Sequence, residues 1–507
     1  MMAGKSLYRA LAGLSLALLL AACSGSALKL APASATTPYR GEAGAAAIAP
    51  NGADFGVTPD PSMPITIAVP KLDASHAYSL PELINIAQLS NPATQAAWQR
   101  AREAAAATGI AEGAYLPIIS ADVLAGYAVT SHTAPGINTA LVSVPEGTIT
   151  TSGMQATPSL AVKWLLFDFG ARDAALATAQ QLSFAANVGF NGTHQKLIYD
   201  VSNAFFQYSA ARAQSRIDRT ALDNARVVLE AAEARLGQGI ATTMEVAQAK
   251  QQVAQAEFDL TGATGRERSS YSILLGAMGV APTLNIKVQD IAGKPLPRQV
   301  PANLDQMIVN SLQRRPDVQV AFAQMKASEQ GIMAARAEFL PKIALTGTAN
   351  RTFGSYSIND TRFNSSATLD VSQPNAAVLV GVTVPIFDGG MRDARMDAAI
   401  AAANASQQDF ARLQSTAAQE IVVAYDVLRT SLSANSAASE LVNAARTNYE
   451  AALDYYKNGL GTLSDISVTQ TGLLKAQYAQ AQARSDAFVA AATLAFATGT
   501  LTSANSP

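Results

Sequence analysis

The chain has 507 residues, with 36 basic and 38 acidic side chains and a formal net charge of −2; this balance argues against a nucleic-acid binder built on a basic face. Hydrophobic residues make up 49% but aromatic ones only 6%, and alanine supplies much of the difference. That composition favours slender helices packed closely over a thick globular core, and the single cysteine rules out an internal disulfide.

In chain order, the first feature is a targeting signal. Lys5 and Arg9 precede the apolar run "ALAGLSLALLLAA", too short for a membrane-spanning helix. It ends in Leu20-Ala21-Ala22-Cys23, which resembles a bacterial lipobox. That resemblance implies a signal peptide over 1–22, cleavage before Cys23 and acylation (palmitate) of that residue. Ser24, the next residue, implies sorting to an outer membrane. Residues 23–75 are rich in Pro, Ala, Gly and Ser and read as an extended, lipid-anchored tether. No later segment reads as a membrane helix.

From residue 76 the chain states one plan twice. Ser79-Leu80-Pro81-Glu82 has the pattern of a capping box and predicts a helix over about 80–114, halted by Leu116-Pro117. Strands follow at 118–130 and 159–167, separated by a Ser/Thr/Gly-rich loop. The second strand runs into "LFDFGARDA". No proline occurs between Pro158 and Pro282, and good helix formers fill the gap. Long helices are predicted over about 171–235 and 242–276, broken at Gly237-Gln238-Gly239. Residues 76–280 form repeat 1, and the Pro-rich segment 281–303 links it to repeat 2, residues 304–498. The second copy has a helix at about 304–338, strands at 343–354 and 377–387, and helices at about 391–457 and 463–497; 499–507 is a tail. Asn303 stands where Ser79 stands, and Leu340-Pro341 where Leu116-Pro117 stands, each 224 positions later. Asp168 recurs as Asp388, Gly239 as Gly459 and Glu245 as Asp465, each 220 positions later. Such repeats fix the plan of a fold.

Leu160, Val162 and Trp164 share one face of their strand by the two-residue period, as do Val380, Val382 and Val384. Lys163 and Thr383 lie on the opposite face. A wall with lipid on one side and water on the other has this pattern. Four strands cannot close a barrel, and an open edge is not tolerated in lipid. Several chains must therefore pool strands: two would give eight, three would give twelve. At the two corners Asp168 and Asp388 can cap the emerging helices, Gly170 and Gly390 permit the bend, and Arg172 and Arg392 can tie neighbouring segments.

A lipobox, a twofold plan of helix, two strands and long helical hairpin, "LFDFGAR" and "IFDGGMR" after the second strands, and glycine tips together resemble the TolC-like outer-membrane efflux family. The likeness covers about 75–500. It implies a mixed α and β membrane protein. Three chains would make a 12-stranded β-barrel, four strands per chain, continued by a long periplasmic α-helical barrel. It implies a homotrimer in the outer membrane, working with a periplasmic adaptor (membrane fusion) protein and an inner-membrane pump or ABC exporter. By the same likeness "NGLGTLSDISV" is the periplasmic gate. Asp465 holds the place of an acidic ring around the pore, with Leu463 and Ile466 packing beside it. Val468 replaces the second acid seen in some members. Gly239, Ile240 and Ala241, with Gly459 and Leu460, match the tips where adaptor hairpins dock. The expected activity is passive conduction of small toxic compounds or drugs; protein export through an ATP-driven exporter is the alternative cargo. A lipid-anchored coiled-coil protein without a pore is the competing class. No nucleophile–base set points to an enzyme. His76, His132 and His194 lack metal-ligand spacing, and no cofactor is implied.

Overall fold

Helix starts and stops are set by prolines and small polar caps, and the structure follows them closely. Apart from Ala35, the computed structural model describes residues 60–297 and 303–502. The expected signal peptide, Cys23 and most of the expected tether lie outside the described residues. Residues 1–67 form one unit and residues 68–507 another; the elements below belong to the second.

A short strand β1 (Ala77–Tyr78) leads into helices α1 (Leu80–Ser90) and α2 (Pro92–Gly113). The Ser79 amide donates to Glu82 Oε2 at 2.7 Å, completing the capping box of α1. The single helix expected over 80–114 is thus two. Asn91 precedes a proline, which disfavours helical backbone, and it sits at φ −75°, ψ 125°. Strand β2 (Ile118–Ala134), the small hairpin β3 (Ile137–Asn138) and β4 (Ser143–Val144), and strand β5 (Gly147–Phe167) follow. Two long helices come next, α3 (Ala171–Gly237) and α4 (Thr243–Met278), and then β6 (Lys287–Val288), which pairs in parallel with β1. The second copy gives α5 (Leu304–Arg314), α6 (Pro316–Ala337), β7 (Lys342–Asp360), β8 (Ser365–Thr383), α7 (Met391–Lys457) and α8 (Leu463–Ala497). Arg315 repeats the extended break of Asn91 before its own proline. Among the described residues no helix is long and apolar enough to cross a membrane.

Both α3 and α7 have 67 residues, about 100 Å at roughly 1.5 Å per residue. Alanines such as Ala204, Ala225, Ala232, Ala417 and Ala424 are buried along them. The apolar core lies partway along, where Leu80, Leu83 and Ile84 of α1 meet Phe205 and Phe206 of α3, Leu274 and Met278 of α4 and Phe488 of α8. Phe206 and Phe488 stack with ring centroids 4.9 Å apart.

The strands β2, β5, β7 and β8 form one antiparallel sheet in that order. They run 17 to 21 residues, longer than the segments expected from sequence. Thr- and Ser-rich stretches expected as loops join the ladder, because β-branched threonine suits a pleated sheet. Strand β8 ends at Thr383, not at Phe387, and Pro385 in the stretch beyond it lacks the N–H a ladder needs.

Candidate functional site

The sheet has two chemically different faces, fixed by register. Ile119 of β2 pairs with Val162, which pairs with Gly347, which pairs with Val378; Trp164, Leu345 and Val380 make a further apolar row. Val378 and Val380 are 73% and 63% exposed, so a single sheet leaves this face bare. Three register steps from the Val162 row, Asp122, Ser159, Asn350 and Asn375 form one row on the other face. Lys163 and Thr346 pair on that polar face too. An apolar outer surface and a polar inner one define a barrel wall in lipid. The outer edges of β2 and β8 are unpaired within the sheet.

At the first corner Gly170 is the N-cap residue of α3 with φ 96°. A left-handed turn here redirects the chain from strand to helix, a conformation glycine adopts at no steric cost. Asp168 lies two positions earlier and caps from there: its Oδ2 accepts from the Arg172 amide at 3.0 Å and from Arg172 Nε at 3.1 Å. Arg172 also donates to the carbonyls of Leu165 at 2.7 Å and Ala114 at 3.3 Å, and its guanidinium lies over the Tyr115 ring. Trp164 Nε1 donates to the Tyr115 carbonyl at 2.8 Å. The second corner repeats the device. Gly390 has φ 85°, Asp388 Oδ2 accepts from Arg392 N and Nε at 3.1 and 2.7 Å, and Arg392 reaches the Pro385 carbonyl at 2.9 Å. The backbone residue types differ at one position of the turn. Phe169 adopts φ 55° where the second copy has Gly389 at φ 72°. In both corner pairs the aspartate Oδ2 is held by the arginine amide and Nε, which gives each aspartate a structural role as a cap.

At the far end each hairpin turns through a glycine, Gly239 at φ 73° and Gly459 at φ 76°. Ile240 and Leu460 beside them are 60% and 79% exposed; Ala241 is half-buried. Both return helices open on a capping box. Thr242 pairs with Glu245, and Thr462 with Asp465. Asp465 Oδ2 accepts from Thr462 Oγ1 at 2.7 Å and from the Thr462 amide at 3.0 Å. These two bonds, the hydroxyl first, hold its carboxyl below the ordinary aspartate range. Asp465 also lines a groove of about 340 Å³ with Leu460 and Val468. Leu463 and Ile466 are buried, packed with Val228, Ala232, Tyr449 and Tyr456.

Sequence reading missed a link at this end. Arg235, in the last turn of α3, donates to the Tyr456 carbonyl of α7 at 2.6 Å, and its guanidinium lies 4.7 Å from the Tyr456 ring centroid. It joins the two hairpins of one chain. The signal was present: Arg235 stands four positions before Gly239, and Tyr456 three before Gly459. Nothing in the sequence says that they touch. Among the described residues no group of three or more His, Cys, Asp or Glu could hold a metal ion.

Relatives are consistent with this architecture. Protein CyaE of Bordetella pertussis is 26% identical over 436 residues, 83% of this chain and 85% of that protein. The pyoverdine export outer membrane protein OpmQ of Pseudomonas aeruginosa is 27% identical over 429 residues, 80% of this chain and 83% of its own length. The solved outer-membrane channel OprN superposes with a TM-score of 0.67 at 20% identity, over 87% of this chain and 98% of its own, a likeness of fold. The family model described as "Outer membrane efflux protein" matches residues 83–280 and 307–500, both copies of the repeat, and the chain therefore belongs to the outer membrane efflux protein family.

Proposed function

We propose that three copies of this chain close a 12-stranded barrel and that their helical hairpins continue it as a tunnel into the periplasm. The observation that carries this reading is the sheet: four strands, apolar on one face and polar on the other, with both outer edges open. In lipid those edges must pair with other chains. Twelve strands leave a lumen, whereas eight are filled by side chains. The organisation that follows is a lipid-anchored segment from Cys23, repeat 1 over 76–280, a linker over 281–303 and repeat 2 over 304–498.

The mechanism is conduction with a gate at the hairpin tips and no bond chemistry. Leu463 and Ile466 pack the second hairpin against the first, Arg235 ties them, and Asp465 from three chains rings the constriction. Clustered negative charge at a narrow point favours cations. A periplasmic adaptor docks on the exposed tip residues Ile240 and Leu460, with Gly239, Ala241 and Gly459 shaping those turns. It opens the tips by binding the open form better than the closed one, the only way a partner shifts such an equilibrium. An inner-membrane pump supplies the cargo. The export function in the name of OpmQ supports small-molecule cargo.

Planar-bilayer recording of the purified oligomer tests the channel. Discrete conductance is expected, and an oligomer without conductance defeats the proposal in favour of a coiled-coil element with no pore. Cargo is tested separately in a deletion strain. Increased sensitivity to small toxic compounds is expected; loss of a secreted protein with unchanged sensitivity would assign the chain to protein export.

A further inference from the structure

A cavity of about 630 Å³ lies between the two hairpins, over α3 and flanked by α4 and α8. Its volume suits a small organic ligand. Asp218 of α3 lines it and is only 2% exposed. The Tyr478 hydroxyl donates to Asp218 Oδ1, while Asp218 Oδ2 is buried with no hydrogen-bond partner. Gln252 of α4 presents a second orphan. Its amide nitrogen donates to Ser467 Oγ, and its Oε1 is buried without a partner. Two residues that line the cavity thus each carry an unmatched acceptor, which calls for a donor, because a buried polar atom left unpaired costs free energy.

The donor's chemistry can be narrowed. Among the described residues no acid and histidine cluster fits a metal ion, and a hard cation needs several oxygen ligands. The remaining wall includes Ala221, Ala225, Leu474 and the Phe258 ring. Asp259 adds a second negative charge; Arg266 and Lys475 also line the cavity and are exposed. The cavity lies on the side of α3 turned away from the inter-repeat segment. Arg216 meets Asp290 of that segment, and two residues on is about 200° round the helix.

We propose that this cavity binds an amphipathic organic ammonium ion, its N–H groups on Asp218 Oδ2 and Gln252 Oε1 and its apolar body against Phe258 and Leu474. Such a ligand touches both hairpins of one chain. The site is separate from the tip and needs no conduction to be read. Burial, and secondarily Asp259, raises the Asp218 carboxyl above the ordinary range, with Arg266 opposing. Tyr478 and Lys475 line the cavity from α8, and Asp259 and Arg266 from α4. Ammonium binding to the carboxylate therefore weakens on acidification, beginning above the usual aspartate range.

The test is fluorescence titration of the full chain in detergent with dansylcadaverine, a primary ammonium on an apolar body. Saturable binding is expected in the wild type. Asp218→Asn should weaken it at least tenfold and remove the acid dependence. Gln252→Leu, which leaves the Asp218–Tyr478 bond in place, should weaken it severalfold. Circular dichroism checks that each variant keeps its helices. No saturable binding by wild type, equal affinity in Asp218→Asn, or equal binding of the N-acetylated neutral probe would each overturn the site. Bilayer conductance is recorded on the same sample, so a failed site and a failed channel are told apart.

Discussion

At the scale of single residues, Asp465 carries two duties that substitutions can separate. Its carboxylate caps α8 through Thr462, and in the proposed trimer it faces the pore. Asp465→Ala removes both, so cation selectivity and block by multivalent cations should fall in bilayers. Thr462→Val removes a capping partner but keeps the charge. Selectivity should then be retained while amide protection in the first turn of α8 drops severalfold. If Thr462→Val reduces selectivity as much as Asp465→Ala does, the ring assignment fails. The acid response has a definite sign. The folded carboxyl titrates below its unfolded value, so the cap stabilises the tip above the ordinary aspartate range of about 3.9 and is lost as pH falls through the folded value. Amide exchange at residues 463–466, followed from pH 7 downwards, reads that loss. Arg235 makes the complementary case. Arg235→Ala deletes the tie to the Tyr456 carbonyl and ring, and the closed tip should open more often, seen as a higher open probability. An unchanged open probability would leave Arg235 with a packing role alone.

At the scale of elements, the corners predict an asymmetry. The Asp168–Arg172 pair has side chains 7% and 12% exposed, whereas Asp388 in the second pair is 21% exposed. Breaking a buried pair leaves an uncompensated charge and costs about 3–5 kcal/mol. Asp168→Ala should therefore lower the thermal midpoint of the oligomer more than Asp388→Ala, with single-channel conductance unchanged in whatever assembles. Equal shifts would show that the first corner is no more buried in the assembly than the second. The corners also show what the sequence makes legible. Their repetition marks the passage from strand to helix, and both proline-free gaps give the long helices almost to the residue. Strand length was less legible. Segments such as "SSATLD" at 365–370 read as loop by composition, yet they pair along their whole length with β7. Sheet pairing depends on the partner strand and not on a segment's own residue types, so composition alone cannot report it. The tip was half legible for the same reason. Each capping box is local and visible in four residues. Arg235 and Tyr456 lie in different copies and meet only once the two hairpins pack.

At the scale of the whole molecule, the exposed tip residues predict where export is decided. Ile240→Glu or Leu460→Glu places a charge on an exposed apolar contact without touching the buried seal of Leu463 and Ile466. Export should be abolished while oligomers still form on native gels; normal export with either change would remove that tip from the docking surface. The open edges of β2 and β8 reach further than the barrel itself. In the proposed trimer one chain contributes one third of a wall, and a sheet with a free edge has no stable place in hydrocarbon. Insertion therefore cannot proceed one subunit at a time, and a defective edge is not confined to the copy that carries it. In a cell expressing two alleles, a β8-edge variant that still pairs through β2 would spoil every assembly it enters. Its inheritance should be dominant, even though a null allele of the same gene would be recessive.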